Sequence, residues 1–379
     1  MMNNLLVRWL IVLSIPQHSA ADCRSEKSIF PLRSEGQAWG LDVVDVKKSW
    51  NFTLAMKEVV VAVIDTGLDL SHPDFKDRLW TNPGESGKDG RGRDKASNKI
   101  DDDGNGYIDD VNGWNFAASN NDLWDRHGHG THIAGIIAGR SNGVSPNAKL
   151  MILKFYDPVG DPRRTLRNTV EAIEYATKMN AQLINFSAGG PQKSDLEKRA
   201  IEKAGKRGIA FVAAAGNEKS NSDHKRYFPA DYELQNIISV GAIGSDLKNL
   251  NASNYGRETV DFGAPGGAIC SSSLGGGQEL MSGTSQATAF TTGVAALVLG
   301  RWNLEPRELL RRLAATGIPN VNLSGRTRFG VQLNSYRALA MKDEGMSAGG
   351  ERAINGDLIR EEEFGTTGAS FGPLARDRH

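Results

Sequence analysis

Val59-Val60-Val61-Ala62-Val63-Ile64-Asp65-Thr66-Gly67 is an unbroken apolar run that ends on a carboxylate and a turn. A continuous run of this kind, rather than an alternating one, predicts a strand buried on both faces, as in parallel sheets. Similar runs recur at Leu150 to Phe155, Leu183 to Phe186, Ile209 to Ala214 and Ile237 to Val240. Helical patterns lie between several of them. Leu166, Val170, Ile173 and Met179 space as one helix face. Ser194 and Glu197 read as a capping box ahead of Leu196, Ala200, Ile201 and Ala204, with Gly208 as the stop. Pro306 opens a last helix, Arg307 to Ala315. Strands alternating with helices imply an α/β fold with a mostly parallel central sheet and right-handed crossovers. Chemistry in such sheets gathers beyond the carboxyl ends of the strands. Asp65 stands at such an end. It is a functional candidate or, more plainly, a turn-forming Asp before Gly.

The 379 residues carry 45 basic and 45 acidic side chains. That balance argues against a nucleic-acid partner. Roughly 300 residues read as globular, enough for one large core. Residues 1–21 look like a signal peptide: Arg8 as the charged region, Trp9 to Ile15 as the apolar stretch, and Ser19-Ala20-Ala21 at the cleavage site. A cleaved signal implies a secreted or periplasmic protein, with no membrane partner once the signal is removed. Cys23 and Cys270 could pair in an oxidising compartment; otherwise Cys270 reads as a small buried side chain at a strand end. From Met341 to His379 the chain is rich in glycine and charge without periodicity, and reads as a flexible tail.

Three further segments carry polar residues at strand ends or helix starts. His127-Gly128-His129-Gly130-Thr131-His132 precedes an apolar, glycine-containing stretch. A histidine there can be a core residue, a metal ligand or a base, but no H-E-x-x-H supports zinc. Ala213-Ala214-Ala215-Gly216-Asn217 follows a strand, and its amide could donate to an oxyanion. Ser282-Gly283-Thr284-Ser285 opens a long small-residue apolar run. That puts a hydroxyl in a first helical turn, where free N–H groups hold negative charge, although a lone Gly-Thr-Ser is ordinarily a helix cap. Nucleophilic catalysis by serine needs a base, a carboxylate that orients it and oxyanion donors. Asp65, His129 and Ser285 occur in one of the known chain orders for that triad.

On Val63-Ile64-Asp65-Thr66-Gly67, Gly128-His129-Gly130-Thr131-His132-Ile133-Ala134-Gly135, Ala214-Ala215-Gly216-Asn217 and Ser282-Gly283-Thr284-Ser285, the chain resembles the subtilisin-like serine proteases from about Gln37 to Ala340. The resemblance implies a three-layer sandwich, with the central sheet flanked by helices, over residues 37–340. It implies a secreted serine endopeptidase, monomeric and acting on polypeptides, that works through an acyl-enzyme and needs no cofactor for catalysis. Asp65 is then the orienting carboxylate, His129 the base, Ser285 the nucleophile, and Asn217 with the Ser285 N–H the oxyanion hole. His132 points into the scaffold and His127 lies near the rim. Ser187-Ala188-Gly189, Ala214 and Gly216 resemble the walls of the pocket for the residue before the scissile bond. Tyr227 falls where many relatives carry a small residue, so the pocket is expected to favour small or medium side chains, with Glu218 at its rim. After Ser285 the family usually has Met-Ala-x-Pro-His; here Gln286 to Phe290 stand instead.

Asp101-Asp102-Asp103-Gly104-Asn105-Gly106-Tyr107-Ile108-Asp109-Asp110 lies in an insertion, 98–112, between Asp65 and His129. Asp101, Asp103, Asn105, the Tyr107 backbone and Asp109 match loop positions 1, 3, 5, 7 and 9 of an EF-hand, with Gly106 at position 6. Asn112 stands where the bidentate Glu belongs, and Asp110 is a substitute. Structural Ca2+ is expected here, in a loop without flanking helices. Asp74, in a His-Pro-Asp segment that resembles one whose Asp often binds calcium in relatives, is not expected to be a ligand, because residues 139–146 look too short to complete such a site. Only 22–36 lies between the signal and the catalytic domain, so folding without a pro-domain, helped by calcium, is expected. The alternative is a non-catalytic, calcium-stabilised binding module on the same scaffold. A nucleotide-binding sheet finds no phosphate loop after the first strand.

Overall fold

Val59, Val61 and Val63 point into one apolar cluster and Ala62 and Ile64 into another, so the first strand is buried on both faces as its composition requires. The structure, a computed structural model, describes residue 23 and residues 39–341. The expected signal peptide at 1–21 and the tail beyond Met341 lie outside the described residues, as does 22–36 apart from Cys23.

Among the described residues the first elements are two short helices, α1 (Trp39–Val43) and α2 (Val46–Ser49). Then come β1 (Val59–Asp65), β2 (Gly113–Asn115), α3 (His129–Ala138), β3 (Ala148–Lys154), α4 (Thr165–Lys178) and β4 (Leu183–Phe186). They are followed by α5 (Asp195–Gly205), β5 (Ala210–Ala214), β6 (Ile237–Ile243), β7 (Phe262–Pro265), β8 (Ile269–Ser273) and β9 (Gly277–Met281). The last are α6 (Thr284–Arg301), α7 (Pro306–Thr316), β10 (Ile318–Pro319), β11 (Val331–Gln332) and α8 (Ser335–Ala340).

Among the described residues nine strands form the main sheet, in the order β10-β11-β7-β6-β5-β4-β1-β3-β2. All neighbours are parallel except β10 and β11. Residues of α3 and α6 pack in the cluster on one face and residues of α4 and α5 in the cluster on the other, giving three layers. β1 has β3 on one side and β4 on the other. The chain therefore changes direction across the sheet at β1 and β4, the switch point where open α/β sheets place their ligands. α6 is buried over nearly its whole length, as a helix running through the core must be.

Two readings change. Ser194 Oγ accepts from the Glu197 N–H at 3.3 Å, but the Glu197 carboxylate turns inward to Tyr232 Oη at 2.9 Å, so only half of the capping box forms. Cys270 lies in β8 and is bonded to Cys23. That disulfide ties Cys23 to the β8–β9 hairpin.

Candidate active site

Asp65 is the last residue of β1 and His129 the first of α3. Asp65 Oδ1 accepts from His129 Nδ1 at 2.7 Å and from the Thr66 N–H at 2.8 Å. A carboxylate can only accept, so the imidazole proton sits on Nδ1 and the lone pair on Nε2. Nε2 is buried and has no hydrogen-bond partner among the described residues. Burial alone would lower the pKa of His129. The charge and hydrogen bond of Asp65 outweigh it, and the net shift is upward.

Ser285 sits in the first turn of α6. Its Oγ donates to the Ser187 carbonyl at 2.9 Å, and Ser187 Oγ donates back to the Ser285 carbonyl at 3.1 Å. Asn185 Nδ2 donates to Ser187 Oγ at 3.0 Å, and Thr292 Oγ1 to Asn185 Oδ1 at 2.8 Å, stapling the end of β4 to α6. Because Ile64 pairs with Phe186, Ser187 runs on beside Asp65 at the switch point. The serine, bonded to the residue after β4, and the Asp–His pair at the end of β1 thus both stand at the carboxyl ends of adjacent strands. Ser285 Oγ is turned to Ser187, and a χ1 rotation between staggered wells is the motion that would offer it to a base.

Asn217 Oδ1 accepts from the Thr284 N–H at 2.9 Å and from Thr284 Oγ1 at 3.2 Å. The backbone donor fixes which end of the amide is oxygen. Nδ2 is left as the outward donor beside Gly283, 3.2 Å from where a Cβ would stand.

The other two histidines of the cluster lie elsewhere. His132 Nε2 is 3.1 Å from the Ile269 carbonyl and 3.2 Å from that of Glu279, inside the β8–β9 hairpin. Burial lowers its pKa to about 3, so it is neutral and donates to both. His127 is exposed, its ring edge-on to those of His129 and Tyr156 at 6.3 and 6.4 Å.

The sequence profile of the subtilase family matches residues 56–332. The chain belongs to the subtilase family. It is 32% identical to subtilisin DY of Bacillus licheniformis over 74% of this chain and 90% of that protein. To the thermophilic serine proteinase of Bacillus sp. (strain AK1) it is 31% identical, over 74% of this chain and 62% of that one. To subtilisin-like protease 1 of Plasmodium berghei (strain Anka) it is 30% identical, over 72% of this chain and 48% of that one. The chain therefore spans less than two thirds of the last two proteins. A crystal structure of a cold adapted subtilisin-like serine proteinase superposes with a TM-score of 0.62 at 27% identity, covering 79% of this chain and 98% of that one.

In this subtilase the two expected pocket walls face each other across one ring. A Cβ on Gly189 would lie 2.5 Å from Tyr227 Cε1, and one on Gly216 would lie 3.0 Å from Tyr227 Cδ2. Tyr227 is buried, as are Ala188 and Ala214. Glu218 Oε2 accepts from Asn254 Nδ2 at 2.6 Å and lies beside Gly216. Burial raises its pKa, against the opposing hydrogen bond from Asn254.

The acidic insertion is a set of turns without regular helices. Carboxylate oxygens of Asp101, Asp103 and Glu85 lie within 4.8 Å of one another. Glu85 is fully buried; its Oε1 accepts from the Asp102 N–H at 2.7 Å and its Oε2 has no hydrogen-bond partner among the described residues. No sequence pattern singles out Glu85. Asp109 turns away and accepts from the Lys99 N–H at 3.1 Å. Asp110 is buried and accepts from Asn82, Asn105 and Tyr175. The Asn105 amide therefore donates to Asp110 through Nδ2, while its Oδ1 accepts from the Tyr107 N–H at 2.7 Å. Both Asp74 oxygens accept from protein donors: Ser141 on one, Ser272 on the other.

Proposed function

We propose that this subtilase is a secreted serine endopeptidase. The observation that carries the reading is the buried Asp65–His129 hydrogen bond, with Nε2 left free, beside the Ser285 helix start. Ser285 Oγ attacks the scissile carbonyl as Nε2 of His129 takes its proton, and Asp65 stabilises the imidazolium that forms. The proton then passes to the leaving amine, and water hydrolyses the acyl-enzyme by the same relay. Asn217 Nδ2 and the Ser285 N–H receive the oxyanion. Residues 187–189 and 214–216 flank the substrate backbone, and the Tyr227 ring between them favours small or medium side chains before the cut.

A divalent cation fits the acidic insertion, because an orphaned buried Glu85 oxygen converges with Asp101 and Asp103. Hard oxygen ligands of this kind suit Ca2+, which would neutralise the cluster and brace the loop. Asp109 and Asp110 are engaged elsewhere, so Glu85 supplies the acid that Asn112 lacks. Export is supported by the signal-like N-terminus and by the Cys23–Cys270 bond.

A fluorophosphonate probe tests the protease reading. Labelling at Ser285 is expected, with loss of label in Ser285→Ala and His129→Ala. Folded, calcium-loaded wild type that takes no label would instead be the binding module.

A further inference from the structure

Asp125 is fully buried and lies outside every role assigned above. Its carboxylate accepts from five donors. Oδ1 takes Thr66 Oγ1, the His127 N–H and the Gly128 N–H, each at 2.9 Å. Oδ2 takes the Thr131 N–H at 2.9 Å and Thr131 Oγ1 at 2.8 Å.

Those donors belong to two elements that must be brought into register. Thr66 follows Asp65, and its hydroxyl also accepts from the Gly130 N–H at 2.8 Å. Thr131 lies in the first turn of α3, and its hydroxyl accepts from the Asp69 N–H at 3.0 Å. Gly128, at the head of α3, has no side chain to cap the helix. Asp125 therefore caps the helix that presents His129, and with the same carboxylate holds the turn that presents Asp65. The backbone closes the arrangement: Leu68 N–H donates to the Leu123 carbonyl at 2.8 Å, and Asp125 N–H to the Leu68 carbonyl at 3.2 Å. The approach is so close that a Cβ on Gly130 would lie 2.3 Å from the Gly67 carbonyl oxygen.

We propose that Asp125 is a positioning residue that sets the placement and basicity of His129 through the Thr66 turn and the first turn of α3. The inference rests on the protease reading above. Burial opposes ionisation of Asp125, but the backbone N–H groups of Gly128, Thr131 and His127 outweigh it, and it is a carboxylate at neutral pH. Its charge adds to that of Asp65 in holding the imidazolium of His129. The other ionisable groups around His129 are Asp69 on the loop after β1, His127 and His132 beside it, and Glu279 on β9 near Gly128. None of their side chains bonds to both elements: the Asp69 carboxylate accepts from Ser71 and the Gly275 N–H.

The test compares Asp125→Asn, Thr66→Val and Thr66→Ser in the full chain with calcium present, counting active sites by fluorophosphonate titration. Misplacing a reacting group costs up to about 100-fold, so Asp125→Asn is expected to lower kcat per site by about 10- to 100-fold with KM within about threefold. Its acid limb of kcat/KM moves to lower pH, because removing a negative charge lowers the pKa of His129. Thr66→Val keeps the charge and cuts the link, so kcat falls without movement of the limb, and Thr66→Ser restores it. If both Asp125→Asn and Thr66→Val keep their per-site kcat and acid limb while only the melting temperature drops, Asp125 is merely structural and the proposal fails. Should Asp125→Asn not fold, the Thr66 pair decides by the same criterion. A wild type that takes no label overturns the protease reading and this one together. A labelled wild type with unaffected variants overturns this one alone.

Discussion

Asn217 illustrates how one contact supports a proposed role at the residue scale. Its oxygen is held by the Thr284 N–H at 2.9 Å, so the NH2 cannot swing away from Gly283 and is pre-aimed as a donor. Asn217→Ala is expected to lower kcat by about 10²–10³-fold with KM little changed, a figure that comes from a subtilisin; steady-state kinetics on a peptide substrate checks it. Tyr227 works in the opposite sense, by filling space. Its ring lies against Gly189 and Gly216, so Tyr227→Gly should open room for an aromatic side chain. Burying such a ring is worth about 1.5–3 kcal/mol, which corresponds to a rise of about 10- to 100-fold in kcat/KM for Phe over Ala before the cut. Wild type that already prefers Phe or Tyr in a peptide panel would sink this. The triad candidates were legible because each stands where an apolar run meets a polar residue. Asp125 was not singled out, although an acid four residues ahead of His129, at a helix start, is a cap signal. It stands beyond the glycine-rich turn, and only the fold shows that its carboxylate reaches both elements.

At the scale of elements, the apolar runs located β1, β3, β4, β5 and β6, because strands buried on both faces need no polar alternation. β2, β10 and β11 are two or three residues long and lie at or near the sheet edges, too short to leave a periodicity. The capping box at Ser194 was half right because local sequence cannot reveal that Tyr232 competes for Glu197. The acidic insertion shows the same limit. Its spacing named Asp101 and Asp103, which converge, but Asp109 finds a nearer donor in the Lys99 backbone and Glu85 arrives from a separate turn. A bound cation stabilises the native state by mass action, about 2.7 kcal/mol at a hundredfold excess over Kd. Chelation should therefore lower the melting temperature of a Ser285→Ala variant by about 5 °C. Glu85→Gln should shrink that difference, as read by calorimetry with and without Ca2+. Equal melting temperatures in calcium and chelator would count against the site.

For the whole molecule, three buried acids set how stability depends on pH. Burial is the leading cause in each case. It raises the pKa of Glu197 to about 7, that of Asp231 to about 7 and that of Asp261 to about 6. Hydrogen bonds from Tyr232 to Glu197, from the Tyr227 N–H to Asp231 and from the Ser239 N–H to Asp261 only partly oppose it. A raised folded-state value means that the native protein binds the proton more tightly than the unfolded chain does. These groups therefore stabilise the fold fully below the ordinary carboxylate pKa of about 4, and the contribution is lost as pH rises through 6 to 7. Asp125 and Asp157 act in the other direction. Burial opposes their ionisation, but backbone donors to Asp125, and Lys154 with the Val159 N–H and Arg126 for Asp157, hold both below the usual range. Their contribution is present above about pH 4 and is lost as they protonate below it. Stability should thus peak in mildly acidic solution and decline towards pH 8, even though His129, as the proposed base, must be neutral for catalysis and so favours higher pH. Calcium-loaded Ser285→Ala protein, melted across pH 4 to 9, should show that decline. The triple variant Glu197→Gln, Asp231→Asn and Asp261→Asn should flatten it, since an amide keeps an acceptor for the Tyr232 hydroxyl and for the Tyr227 and Ser239 N–H groups and has no charge to bury. A triple variant with the same slope as its parent would show that these three acids do not set the alkaline limb.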